Sequence, residues 1–387
     1  MSEEIIKQDL ASMLEYHRNL LLHLIRTLSP ISRADLTRLT KLSPTTVGRI
    51  IGALIEEGLI IETGLSGAAL GRKARQISIN NNGCYAVGID IGMDIVNVGV
   101  TNFGGELIYI TSRSSGELLS VDMAVELIRD AYREVLEQLD EAVVQKILGI
   151  GVTVTGNVQP TTGIVQFSPQ QKWSHVPLKD ILVKELGVQK IYIDNDVKGT
   201  ATAELLYGHG RSNPDFAILH AGTGVGTALV SNSHIVRSGN GLYGELGHTI
   251  YHPFGRLCDC GRRGCIQTDI CIPALENEAG MNISRIIELA GKGDPRCSDL
   301  LETAERSLAI LVNNMINTYD PPLILLEGEL FDMIENLTER VIAQAKYFMN
   351  HGIGYITDTK VQPSSFSHKK DSVVSSAAVL FHNEFAF

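Results

Sequence analysis

The densest concentration of chemically capable side chains in this sequence is Gly244-Glu245-Leu246-Gly247-His248, followed by Cys258-Asp259-Cys260-Gly261-Arg262-Arg263-Gly264-Cys265. One imidazole and three thiols supply four ligands, the number and kind that a closed tetrahedral zinc site uses. Cys258 and Cys260 require the chain to bend back on itself, and Gly261 and Gly264 permit the turn. The alternative, free cysteines in a polar loop, leaves three oxidisable thiols within eight residues. His248, Cys258, Cys260 and Cys265 are therefore the expected ligands of a structural Zn2+.

Three further segments carry polar groups where a cleft would use them. Asp194-Asn195-Asp196 follows the apolar run Lys190–Ile193 and precedes a helix through Ala201, Glu204 and Leu205, so the triplet sits at a strand-to-helix junction. A helix cap explains one such residue and not all three. Gly222-Thr223-Gly224 lies between two apolar runs, where its N–H groups can cradle an anion or simply close a tight hairpin. Cys84–Gly92 reads as a strand ending in Asp90-x-Gly92.

The elements that position these residues are those of a mixed α/β body. Cys84–Gly92 is followed by a second strand over Asp94–Thr101, a turn at Phe103-Gly104-Gly105-Glu106, and a third strand over Leu107–Thr111. An amphipathic helix over about 121–140 and a strand Ile147–Val154 complete a mixed sheet of the actin-like, ribonuclease-H-like type.

Ahead of this body stands a segment of different character. Leu20, Leu21, Leu24, Ile25 and Leu28 form a helical stripe that stops at Ser29-Pro30. Ser32-Arg33-Ala34-Asp35 opens a second helix that buries Leu36 and Leu39, and Lys41-Leu42 make a turn. Ser43 and Pro44 then start a third helix with Val47, Ile50, Ile51 and Leu54 inward. Two short helices about a tight turn form a helix-turn-helix, and the runs 59–63 and 75–79 add a hairpin wing. Ser43, Thr45, Thr46 and Arg49 are placed to meet bases or phosphates, with Arg72, Lys73 and Arg75 on the wing. The alternative is a three-helix protein-interaction module with a solvated basic face.

Charge follows this division. The 387 residues carry 33 Lys/Arg and 44 Asp/Glu, a formal charge of −11 that taken globally argues against nucleic acid. From Arg18 to Asn80 the count is nine basic against four acidic, whereas everything after residue 80 carries −13. A basic head on an acidic body fits DNA contact by the head alone. No apolar run approaches the ~18 residues of a membrane span, and the first residues are too polar for a signal peptide, so a cytoplasmic protein is expected.

Together these residues resemble the ROK family of repressors and sugar kinases, and the basic head resembles its sugar-responsive transcriptional regulators. The resemblance implies an N-terminal winged helix-turn-helix (1–80) followed by a two-lobed actin-like, ribonuclease-H-like sugar-binding domain. Its lobes are expected over 81–195, with 370–387 returning to it, and over 196–369, which carries the zinc loop and a dimerisation surface. Asn195, Asp196, Glu245 and His248 match family sugar contacts. Gln267 stands where the family usually has Glu and Gln170 where many members have Asn, which alters the hydrogen-bond code for a glucose-type ligand.

In kinase members Asp196 would be the catalytic base. Here Met93-Asp94 replaces the Gly and Thr or Ser that follow Asp-x-Gly in kinases, and Glu327 and Glu329 fall where kinases hold adenosine with a Gly-Gly pair. The resemblance therefore implies a regulator without phosphoryl transfer: a repressor, dimeric or tetrameric, released from operator DNA by a monosaccharide or derivative. The alternatives are an active ATP-dependent sugar kinase with an accessory DNA-binding head, and a regulator that has lost sugar sensing.

Overall fold

Ser32 and Ser43 each lack a helical backbone but offer a hydroxyl to the first turn that follows, and both start helices. Ser32 Oγ accepts from Asp35 N, opening Arg33–Thr40, and Ser43 Oγ accepts from Thr46 N, opening Pro44–Glu56. Between them Lys41 takes a left-handed conformation (φ 58°) and ends the first of the pair. The computed structural model describes residues 10–65, 75–239, 243–350, 358–366 and 371–385.

In the head, Val47, Ile50, Ile51 and Leu54 are buried as expected. The preceding helix is longer than its apolar stripe suggests, running Leu10–Leu28. Its buried face is Leu21, Leu22, Ile25 and Arg26, while Leu28 is 46% exposed and Leu39 of the next helix 49% exposed, both against expectation. For the first helix the shift has one cause: it packs on the body as well as on the head. The wing pairs Ile60–Leu65 with Arg75–Ile79, and the short strand Ile31–Ser32 adds to its free edge opposite Gln76 and Ile77.

The body holds two five-stranded sheets. In the first the order is Ile191–Asn195, Ile147–Val154, Tyr85–Ile91, Ile95–Asn102, Leu107–Ser114, with the first three parallel and the last two antiparallel. The second runs His234–Ile235, Val225–Ser231, Phe216–Ala221, Leu323–Glu327, Lys360–Pro363. A smaller three-stranded sheet spans residues 157–176. The helix Asp371–Phe385 lies flat on the first sheet, because a Cβ at Gly88 or Gly151 would collide with the Val373 or Ser376 carbonyl. The helix Asp196–Tyr207 packs on this same C-terminal helix and also touches Val225–Ser231 of the second sheet.

Head and body share one apolar core. Leu21, Leu22 and Ile25 of the head belong to the same buried cluster as Phe103, Ala203, Leu206, Phe381 and Phe385 of the body. Arg26 enters this cluster, donates from both terminal nitrogens to the Phe103 carbonyl (3.2 and 3.1 Å), and lies 5.5 Å from the Tyr207 ring.

Candidate functional site

The loop between Glu245 and Cys265 brings its four soft donors together. One ligand atom from each of His248, Cys258, Cys260 and Cys265 lies within 4.8 Å of the others. Cys258 Sγ is 3.6 Å from His248 Nδ1, and Cys260 Sγ is 3.6 Å from Cys265 Sγ. A tetrahedron with metal–sulfur arms of ~2.3 Å has edges of about 3.8 Å, so these spacings suit a single ion. Burial, with Arg262 nearby, lowers the His248 pKa and favours the neutral ligand form. His248 Nε2 faces the other way, 3.9 Å from Glu245 Oε2.

That second nitrogen opens on a cavity of about 610 Å³. Asn195, Asp196, Glu245, His248, Gln267 and Gln170 all line it. The strand Ile191–Asn195 delivers the first two at its end, where Asn195 caps the following helix by accepting from Lys198 N. Asn195 Nδ2 donates to Gly156 O (3.1 Å) and to Asp196 Oδ1 (2.7 Å), which fixes the carboxylate. Thr155 donates to the other Asp196 oxygen at 2.9 Å. Burial raises the pKa of Asp196, against the opposing field of His220, and burial likewise raises that of Glu245.

Asp194 differs from the expectation that the whole triplet faces a cleft. It is turned away and gripped by both terminal nitrogens of Arg237, one at 3.0 Å. Gln267 lines the cavity but spends its carbonyl on Val225 N (3.1 Å), bracing the Gly-rich turn, while Gln170 Nε2 approaches Gly224. Gln170 Oε1 is buried with no hydrogen-bond partner among the described residues.

Lys198 is a cavity residue that sequence reasoning missed. It is only 6% exposed and lines the wall, its pKa lowered by burial against the pull of Asp194, Glu245 and Asp196. The available signal was its place in the first turn of a helix, where the dipole disfavours a cation unless a specific partner compensates.

A second cavity of about 430 Å³ adjoins the first through Asp196, His220 and Thr223, and is lined by Asp90, Asp94, Glu327 and Glu329 among others. His220 Nδ1 sits 3.1 Å from Glu327 and its Nε2 3.9 Å from Glu329. Burial opposes charging of this imidazole, but Glu327, Glu329 and Asp196 outweigh it and raise its pKa to about 10. Glu329 stands directly over Gly222, in space that any side chain at that position would fill. The Gly222–Gly224 turn closes a hairpin, Gly222 N donating to Gly224 O.

In the head, Thr45 and Arg49 are exposed on the helix Pro44–Glu56, Thr46 and Gly48 partly so. The Ser43 and Thr46 hydroxyls are 2.9 Å apart and satisfy each other. Arg75 is paired with Glu62, which also receives Arg33 at 3.0 Å. Arg72 and Lys73 lie outside the described residues.

The chain matches the ROK family over residues 86–384. It is 27% identical over 374 residues to a xylose repressor of Bacillus subtilis, covering 95% of each chain. It is 29% identical to a xylose repressor of Caldicellulosiruptor bescii, covering 82% of this chain and 84% of the relative, and 26% identical to an N-acetylglucosamine repressor of Escherichia coli, covering 79% of each. In fold it resembles a crystal structure of a ROK family transcriptional regulator, a homologue of the E. coli MLC protein, with TM-score 0.79 at 23% identity over 96% of this chain and 97% of that one. A ROK family glucokinase from Streptomyces griseus, solved with glucose and AMPPNP, gives TM-score 0.66 at 22% identity over 76% of this chain and 98% of the kinase. The head, the metal-ligand loop and the match over the whole body agree, and the chain belongs to the ROK family.

Proposed function

We propose that this chain is a DNA-binding transcriptional repressor whose body senses a monosaccharide or sugar derivative. One observation carries the reading: the helix Asp196–Tyr207 has sugar-site residues at its start and a contact with the DNA head at its end. At 1.5 Å per residue the helix is about 18 Å long, a rigid link between the cavity and Arg26. A sugar that draws Asp196 and Glu245 together would shift this helix, and with it the seat of the head. The repressor names of the relatives support the same reading.

In the cavity, Asp196 and Glu245 would accept from vicinal hydroxyls, while Gln170 and Lys198 would donate. His248, Cys258, Cys260 and Cys265 would hold Zn2+, whose contribution is to lock the loop that carries Glu245 and to fix the orientation of His248. Thr45, Thr46 and Arg49 would meet the operator, with the wing beside them. Ile250, Tyr251, Phe254 and Leu257, all exposed around the metal-ligand loop, form an apolar surface suited to burial against a second copy in a dimer.

Phosphoryl transfer is not part of the proposal. The cavity where a nucleotide's phosphates would approach is lined by carboxylates, with Glu329 over the Gly-rich turn and His220 already neutralising Glu327. A polyphosphate there would meet like charge at short range.

The test is thermal-shift screening of the full chain against pentoses, hexoses, N-acetylhexosamines and their phosphates, followed by operator binding with the sugar that stabilises. Stabilisation together with operator release is expected. Operator binding that no sugar alters would leave the body as a dimer scaffold without a sensing role.

A further inference from the structure

A separate cavity of about 190 Å³ lies where the head meets the body. The helix Leu10–Leu28 contributes His23, Arg26 and Thr27, and the body contributes Arg211, Ser233 and His382. Among the described residues that line it none is acidic, although the chain as a whole carries −11.

Arg211 spends one terminal nitrogen on the Arg26 carbonyl at 3.0 Å, which leaves most of its donor fork for other partners. The two guanidiniums are close enough for Arg211 to lower the Arg26 pKa, after the larger effect of burial. His382 Nδ1 is buried with no hydrogen-bond partner among the described residues. Burial and then Arg237 push this imidazole down to about 4, so it sits neutral in a positive surrounding. The carboxylate that opposes this shift, Asp194, is already held by Arg237.

Two arginines, two imidazoles and the Ser233 hydroxyl around a small space, with no lining carboxylate among the described residues, are a receptor for a tetrahedral oxyanion. A cavity of this volume has room for such an ion. We propose that this junction cavity binds orthophosphate or the phosphate group of a small ester, which bridges Arg26 of the head to Arg211 of the body. An anion there offsets the repulsion between the arginines and fastens the head in its seat, independently of the sugar cavity.

The test is isothermal titration of the full chain, in phosphate-free buffer, with orthophosphate, sulfate or glycerol phosphate, each against chloride at matched ionic strength. One saturable site is expected, weakened about tenfold or more by Arg211→Gln and also by His382→Phe, and unchanged by the exposed control Arg285→Gln. Binding of the ester as well as orthophosphate identifies a phosphorylated metabolite as a ligand, and binding of orthophosphate alone identifies the free ion. Arg211 is exposed, so Arg211→Gln stays informative if His382→Phe does not fold. Absence of a saturable site for any of the anions, or a site that Arg211→Gln leaves intact, overturns the proposal.

Discussion

The guanidinium of Arg26 lies 4.2 Å from the centroid of the Phe103 ring while donating to that same residue's carbonyl. One head residue thus makes both a cation–π contact and charge-assisted hydrogen bonds with a single turn of the body. The turn joins two strands of the first sheet and its Phe103 is fully buried, so the head is seated on it rather than tethered to it.

Arg26→Ala should therefore loosen the head without dismantling either domain core. The expected loss is ~1–3 kcal/mol for the buried charged hydrogen bonds, read as a lower urea midpoint. Operator binding should persist while its response to sugar weakens, because the helix Asp196–Tyr207 loses the contact that Tyr207 makes with Arg26 of the head. An unaltered sugar response in Arg26→Ala would remove this contact from the coupling path.

Chelation of the zinc proposed for His248, Cys258, Cys260 and Cys265, or Cys265→Ser, should cost about 2 kcal/mol or more, ~4–8 °C in melting temperature for a domain of this size. Sugar stabilisation should fall with it, since Glu245 rides on the same loop as His248. Metal analysis of unchelated protein should find one zinc per chain, and a clear shortfall would discard the ligand set.

His220 makes the stability of the body depend on pH. Its folded pKa, about 10, lies above its ordinary 6.5, so the imidazolium's contribution is complete below about pH 6.5 and is lost as pH rises towards 10. Thermal stability should decline across that window. In Glu327→Gln the decline should flatten, and the His220 imidazole signal in NMR should titrate at a much lower pH. A wild-type His220 that titrates near 6.5 would show that the carboxylates do not hold its charge.

Arg49→Ala should weaken operator binding by ~1–3 kcal/mol if the side chain reads a base. Arg75→Ala should cost less, because Glu62 already neutralises that guanidinium. Fluorescence anisotropy at two salt concentrations separates the cases: loss of a phosphate contact lowers the salt slope by about one, and loss of a base contact does not.

Local chemistry was legible in the sequence and distant pairing was not. The caps at Ser32 and Ser43 act within three residues, so the helices they start could be placed from the chain alone, as could the strand Ile147–Val154. The metal cluster was legible because its ligands are close in sequence and of one chemical kind. The sequence also yielded six residues that line the main cavity. Asp194 was misjudged because its partner Arg237 is 43 residues away. Leu28 was misplaced, and Leu22 and Arg26 missed, because the first helix answers to two surfaces while periodicity reports a single stripe; Leu39 of the second helix, expected inside, faces solvent. The strand Ile31–Ser32 has two residues and exists only through its pairing with the wing.

The helix Asp371–Phe385 supplies Phe381 and Phe385, whose ring centroids lie 5.3 and 5.1 Å from that of Phe103, beneath the head. This helix is the last element of the body to be translated. The head of a nascent chain therefore has no finished seat while synthesis is under way, and a prematurely terminated product keeps the helix Pro44–Glu56 but lacks the floor beneath the head. Such truncation products should compete poorly for operators, which protects the regulated genes from repressors that cannot be released.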